Sequence, residues 1–236
     1  MIEFADIHSH FLYGLDDGAA TREDMLKLLD NAYVNGITKL IATPHCEPGV
    51  KPFDKESLKT ALNEARSYCD EKGYNIVIES GAEVLYTPAL EHYARRRSLP
   101  TLGNTGMVLL ELAPNIRLNR LIEALRLMYD CDYCVVLAHI ERYECLRIPF
   151  MAKWLKRSFK GLKYQVNAHS IIGLSGLAGF FLRSWLRKRL IDYVASDAHN
   201  VRSRPFLQAK AYKVLKEKYS RKYAEYLMCD RTTSKG

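Results

Sequence analysis

Seven short apolar, β-branched runs punctuate the chain: 4–7 (FADI), 37–42 (ITKLIA), 75–80 (NIVIES), 107–112 (MVLLEL), 133–138 (YCVVLA), 164–168 (YQVNA) and 191–195 (IDYVA). Each has the length of a strand, and the period changes after it. In 21–35, Met25, Leu28, Leu29 and Ala32 share one helical face, and Thr21 with Asp24 reads as a variant capping box. Residues 54–72, 116–130, 144–160, 177–190 and 204–228 read as further helices, and 88–98 as a shorter one. Seven strands, each followed by a helix, predict parallel βαβ units of an α/β protein. No Gly/Ser-rich linker or shift in composition divides the chain, so 1–236 is expected to form one domain, with residues 229–236 a flexible tail.

The ends of these runs carry the chemistry. His8, His45, Glu83, Glu111, His139, Asn167 and Asp197 all lie at or just beyond a strand end. An open sheet would spread them along an edge, whereas a closed barrel brings strand ends to one pocket. The expectation is a distorted, seven-stranded (β/α)7 barrel. His8 and His10 are two apart, so on an extended strand both imidazoles reach the same side. Asp197 and His199 repeat that spacing, and Asp16-Asp17-Gly18 marks a turn. Glu83 and Glu111 sit in apolar surroundings, where a lone carboxylate is costly and needs a metal ion or an arginine as partner. His45 follows Pro44, and His139 is followed by Glu141 and Arg142. The candidate ligands are therefore His8, His10, Asp17, His45, Glu83, Glu111, His139, Asp197 and His199. Nine oxygen and nitrogen donors suffice for two or three ions with bridging carboxylates. Ligand type alone admits Mn2+, Fe, Mg2+ or Zn2+.

Charge and cysteine content narrow the class. A formal net charge of +8 suits an anionic partner. Arg95-Arg96-Arg97 and the run from Arg183 to Arg189 are the main basic clusters; solvated helix faces are the default reading, and an anionic tail or membrane surface the alternative. Six cysteines, with no charged-then-apolar leader, point to thiols in a cytoplasmic protein. Residues 164–182 carry no Asp, Glu, Lys or Arg, but their glycines and amides fit a buried strand and turn better than a membrane span. No cysteine has an arginine six positions later, so a Cys-x5-Arg phosphatase loop is excluded. Cys131 and Cys134 form a single Cys-x2-Cys without a second pair and read as core thiols.

The strings DIHSHFLYGLDDGA (6–19), ATPH (42–45), GAEVL (81–85), LLEL (109–112), AHIERY (138–143), QVNAHSIIG (165–173) and SDAHNVRSRP (196–205) span nearly the whole chain. Together they resemble the PHP (polymerase and histidinol phosphatase) superfamily. Within it the chain is most similar to the bacterial manganese-dependent protein tyrosine phosphatases of capsule and exopolysaccharide operons, the CpsB/CapC/YwqE type. That resemblance implies a PHP-type (β/α)7 barrel holding three divalent ions, Mn2+ foremost. One ion would be held by His8, His10, Glu83 and Asp197. A second would share Glu83 and add Glu111 and His139, and a third would take Asp17, His45 and His199. Arg142 and Arg204 would bind phosphate, and a metal or His199 would assist the leaving phenol while a metal-bound hydroxide attacks phosphorus. The implied substrate is the phosphotyrosine tail of a bacterial tyrosine kinase controlling capsular or exopolysaccharide synthesis, with no nucleic acid partner and no transmembrane segment. Competing expectations are another PHP phosphoesterase (histidinol-phosphate phosphatase-like or a nuclease) and a non-catalytic regulator of the same fold.

Overall fold

The computed structural model describes residues 2–229 apart from Pro52, Asn104, Pro149 and Ser175, so the expectation for the tail falls on residues that lie, from 230 onward, outside the described ones. All seven apolar runs form strands. Two of the strand segments continue past an interruption, which gives nine strands among the described residues: β1 (Phe4–Ser9), β2 (Ile37–Ala42), β3 (His45–Cys46), β4 (Val77–Ser80), β5 (Glu83–Leu85), β6 (Met107–Glu111), β7 (Cys134–Leu137), β8 (Lys163–Asn167) and β9 (Tyr193–Ala195). Pro44 breaks the second segment, since it has no N–H to give a ladder. Gly81 and Ala82 break the third; a Cβ on Gly81 would lie 3.1 Å from the Leu102 side chain.

The ladder is consequently divided. β1, β2 and β4 form one parallel sheet, and β3, β5, β6, β7, β8 and β9 form a second, curled one. The single seven-stranded ladder expected from the sequence is therefore replaced by two sheets sharing two interrupted segments. The first and last segments approach at their carboxyl ends, where Ser9 bridges Ala198 in parallel. There His10 N donates to Ala198 O and Asp197 N to His8 O, both at 2.8 Å.

Helices α1 (Arg22–Val34), α2 (Lys55–Lys72), α3 (Leu90–Arg95) and α4 (Leu118–Asp130) fall where the periodicity puts them. The capping box of α1 forms as read: the Thr21 hydroxyl accepts from Asp24 N at 3.2 Å, and the Asp24 carboxylate accepts from Thr21 N at 3.1 Å. Helix α2 ends at Gly73, whose φ of 68° belongs to the left-handed region that glycine enters at little cost. Three expectations change. The helix expected over 144–160 starts only at α5 (Met151–Ser158), preceded by 3-10 turns at Ile140–Arg142 and Glu144–Arg147; Pro149 in the sequence is incompatible with a continuous helix interior. Residues Ala168–Ile172 form a short α6 before α7 (Gly176–Arg187). The stretch 204–228 divides into α8 (Gln208–Lys218) and α9 (Arg221–Met228), the second capped by the Ser220 hydroxyl.

Alternation along the strands aims the site residues. In β6, Val108 and Leu110 pack with the helices, whereas Leu109 joins a small inner cluster with Ile7, Ile41, Val136 and Ala195. Glu111, two residues beyond Leu109, therefore emerges on the inner side at the strand end. In β9, Val194 faces the helices and Ala195 the inner cluster, so Asp197 follows on the same inner side.

Candidate metal centre

Every candidate ligand read from the sequence arrives at one place, with Glu83 at its middle. Its Oε2 lies 3.2 Å from His8 Nε2, 3.2 Å from His10 Nε2 and 3.3 Å from His45 Nδ1, and its Oε1 lies 2.9 Å from His139 Nε2. Glu111 stands 3.4 Å from His139 Nε2 and 3.8 Å from His45 Nδ1. Asp197 Oδ1 faces His8 and His10 at 3.5 and 3.6 Å. Asp17 Oδ1 lies 3.3 Å from both His45 Nε2 and His199 Nε2. Among the described residues, three groups have donor atoms mutually within 4.8 Å: His8, His10, Glu83 and Asp197; His45, Glu83 and Glu111; and His10, Asp17, His45 and His199.

This donor set fits divalent ions. His8 Nε2 and His10 Nε2 lie 3.2 Å apart and both face the same carboxylate oxygen. Such crowding of imidazole lone pairs around buried carboxylates is the arrangement a cation stabilises. All but Asp17, His45 and Glu111 are buried, and those three form the open rim.

The backbone is bent to make the arrangement. His139 has φ 30° and Asp197 φ 56°, a region that side-chain-bearing residues rarely occupy and one often seen at functional sites. Gly18 is required for a different reason: a Cβ there would sit 2.0 Å from the His10 carbonyl oxygen and 2.6 Å from His10 Cβ, so any larger residue displaces His10.

A surrounding layer holds the candidate ligands in orientation, and the sequence pattern alone assigns it no role. Asp16, read with Asp17 as a turn, accepts from His10 Nδ1 at 2.6 Å and from His45 N at 3.0 Å. Gln165 Oε1 accepts from His139 N at 2.6 Å and lies 3.2 Å from His8 Nδ1. The Gln165 amide donates to Asn167 Oδ1, and Asn167 Nδ2 in turn donates to Asp197 Oδ2 at 2.7 Å. Asp6 accepts from His8 N and Ser196 N and from the Gln208 amide, which ties the first strand to the last. Gln165 and Asp6 are polar side chains inside apolar runs, the same signal that singled out Glu111. Arg142 and Arg204, expected at phosphate, each place Nη2 2.6 Å from Asp197 Oδ2 while their heads stay partly exposed.

Electrostatics follow from this packing. Burial pushes the carboxyl groups of Glu83 and Asp197 up, but the neighbouring histidines outweigh it and hold both well below the usual carboxylate range. Burial and the Glu83 charge push Glu111 up. Burial opposes a charge on His10, yet hydrogen bonds to Asp16 and Glu83 raise it to about 10. His199 moves the other way, to about 4, through burial and the positive neighbours His10 and Arg204. A raised histidine stabilises the fold fully below its unfolded value near 6.5 and loses that contribution as pH rises through the folded value. Chelated protein is therefore expected to lose thermal stability steadily between pH 7 and 8, a range below ordinary cysteine, lysine and tyrosine titration. A flat or rising midpoint across that range, measured by thermal denaturation, contradicts the His10 assignment.

Comparison with known proteins points to one family. The chain is 29% identical over 232 residues to the tyrosine-protein phosphatase CpsB of Streptococcus pneumoniae, covering 95% of each. It is 32% identical over 220 residues to the tyrosine-protein phosphatase YwqE of Bacillus subtilis (strain 168), covering 91% of this chain and 84% of that protein. A solved structure from work on YwqE from Bacillus subtilis and CpsB from Streptococcus pneumoniae, described as unique metal-dependent tyrosine phosphatases, superposes with a TM-score of 0.82 at 28% identity; the match covers 93% of this chain and 89% of that one. The phosphotriesterase homology protein from Escherichia coli superposes with a TM-score of 0.56 at 11% identity over 96% of this chain and 94% of that one, a likeness of fold alone. The family described as capsular polysaccharide synthesis, CpsB/CapC, matches residues 4–234, and the chain belongs to that family.

Proposed function

We propose that this protein is a metal-dependent protein tyrosine phosphatase. The observation that carries the reading is Glu83, one buried carboxylate facing four imidazoles, with two arginines converging on the adjacent Asp197. His8, His10, Asp17, His45, Glu83, Glu111, His139, Asp197 and His199 would hold three divalent ions, Mn2+ foremost, within one domain organised as a distorted seven-segment barrel. The Ser9–Ala198 bridge between first and last segments supports the barrel description. Bound divalent ions supply an activated water at neutral pH and positive charge against the phosphoryl oxygens.

The chain's own residues do the rest. Arg142 and Arg204 present planar donors suited to phosphoryl oxygens. Asp197 Oδ2 receives three donors, from the two arginines and Asn167, so an arginine can turn to a phosphate while that carboxylate stays paired. His199, held near 4, is neutral at pH 7, and that favours its ligand role over proton donation to the leaving phenol. Phenol, with a pKa near 10, leaves more readily than an alkoxide and needs less assistance. The phosphotyrosine tail of a bacterial tyrosine kinase acting in capsule or exopolysaccharide synthesis is the natural substrate in this reading, met in the cytoplasm. Among the described residues no helix is long and apolar enough to cross a membrane.

A paired inhibition assay tests the reaction. Chelator abolishes hydrolysis of an aryl phosphate and of a phosphotyrosine peptide, manganese restores both, and thiol alkylation leaves them largely intact. Histidinol phosphate and single-stranded DNA are turned over poorly beside the peptide. Chelator-resistant, alkylation-sensitive activity would sink the proposal.

A further inference from the structure

The net charge of +8 is not spread over the molecule. Residues 145–191 contain ten of the 35 lysines and arginines and none of the 27 acidic residues, so the remainder of the chain holds 25 cations against 27 acids. The whole excess belongs to one continuous stretch, which includes α5 and α7. The same stretch exposes large apolar side chains. Phe150 is 75% exposed, Phe180 58% and Trp154 47%. Phe150, Trp154 and Arg157 follow the spacing i, i+4, i+7, which places them along one side of α5 and the residue leading into it. Phe180, Ser184 and Lys188 are likewise four apart along α7 and just beyond it. The start of α5 and the end of α7 come together here, because Lys188 Nζ, just beyond α7, lies 5.4 Å from the centre of the Phe150 ring, just before α5. Lys153 and Arg157 are exposed beside them.

A solvated helix face of an ordinary kind carries mixed charges and small polar residues. Here aromatic rings and cations alternate without an acid among them. Cations with long apolar stems next to exposed Trp and Phe match the boundary between anionic headgroups and acyl chains. A purely acidic polypeptide would satisfy the lysines and arginines but would leave the rings in water. We infer that the α5–α7 face, centred on Phe150, Trp154, Lys153, Arg157 and Lys188, docks reversibly on an anionic lipid bilayer. Each cation near such a surface contributes about fivefold to partitioning.

Flotation of the full chain with phosphatidylglycerol-containing vesicles, and with pure phosphatidylcholine vesicles, tests this. The protein floats with the first at low salt and not with the second. Partitioning of the triple variant K153Q/R157Q/K188Q falls by roughly a hundredfold. The chain has two tryptophans, and Trp185 is buried, so a blue shift of emission on vesicle addition reports Trp154 and disappears in Trp154→Ser. Thermal midpoints of the variants match the parent and exclude misfolding. Absence of flotation, a triple variant that partitions like the parent, or binding without a blue shift overturns the assignment. So does a vesicle-independent dimer that Phe150→Ser converts to monomer, which would make this face a contact between two copies.

Discussion

Glu83→Gln lowers turnover of a phosphotyrosine peptide by at least about a hundredfold and strips the protein of most of its bound metal. Outer partners of metal ligands typically cost 10–100-fold when removed, and Glu83 lies inside that layer. The substitution keeps size and shape and changes one thing, the charge. A neutral amide cannot offset the positive charge that His10 carries in the absence of metal, nor would it offer bound cations the same negative charge. His8, His10, His45 and His139 all lose their common partner at once. Glu111→Gln is milder, because Glu111 is partly exposed and burial together with the Glu83 charge already pushes its carboxyl up. Kinetics on a phosphopeptide combined with elemental analysis separate the two. A Glu83→Gln protein that keeps its metal and stays within threefold of the parent rate would remove Glu83 from the centre of the site.

What the sequence disclosed and what it withheld follow from the range of the interactions involved. Strands and their order were legible because burial on a sheet demands apolar runs, and the runs at 107–112 and 133–138 have almost no polar interruption. Candidate ligands were legible where chemistry contradicts local context, as with Glu111 inside LLEL, which the structure brings beside His139 and His45. The division of the ladder was not. It falls at Pro44 and at Gly81, where a Cβ would meet Leu102, 21 residues away, a proximity that no local pattern encodes. Helix limits failed for a similar reason: Ser220 caps α9 through its hydroxyl, yet a serine within 204–228 looks like any surface residue. The orienting layer was hidden most fully. Asp16 and Asp17 are neighbours in one turn, but Asp16 turns to His10 and His45 while Asp17 reaches His45 and His199. Only the packed structure separates a candidate ligand from the group that aims its neighbours.

The paired arginines give the last expected result. In R142A/R204A, kcat/KM for aryl phosphate falls by about 10³-fold or more, as arginines that neutralise a transferring phosphoryl group commonly contribute that much. Metal content stays near the parent value, because neither guanidinium belongs to the donor set. The loss is larger in kcat than in KM, since charge on the phosphoryl oxygens redistributes as the reaction proceeds. Each single variant loses less than half of the combined effect on a logarithmic scale, because the two guanidinium groups share one oxygen of Asp197 and the survivor inherits a free partner. Arg142→Lys recovers part of the rate at most: the charge returns, but an ammonium cannot grip two oxygens in one plane. Asp197 remains tied to Asn167 in every variant, which keeps it facing His8 and His10. A double variant that holds its metal and loses less than tenfold in kcat/KM would mean that the arginines serve Asp197 alone, and that phosphate is gripped elsewhere.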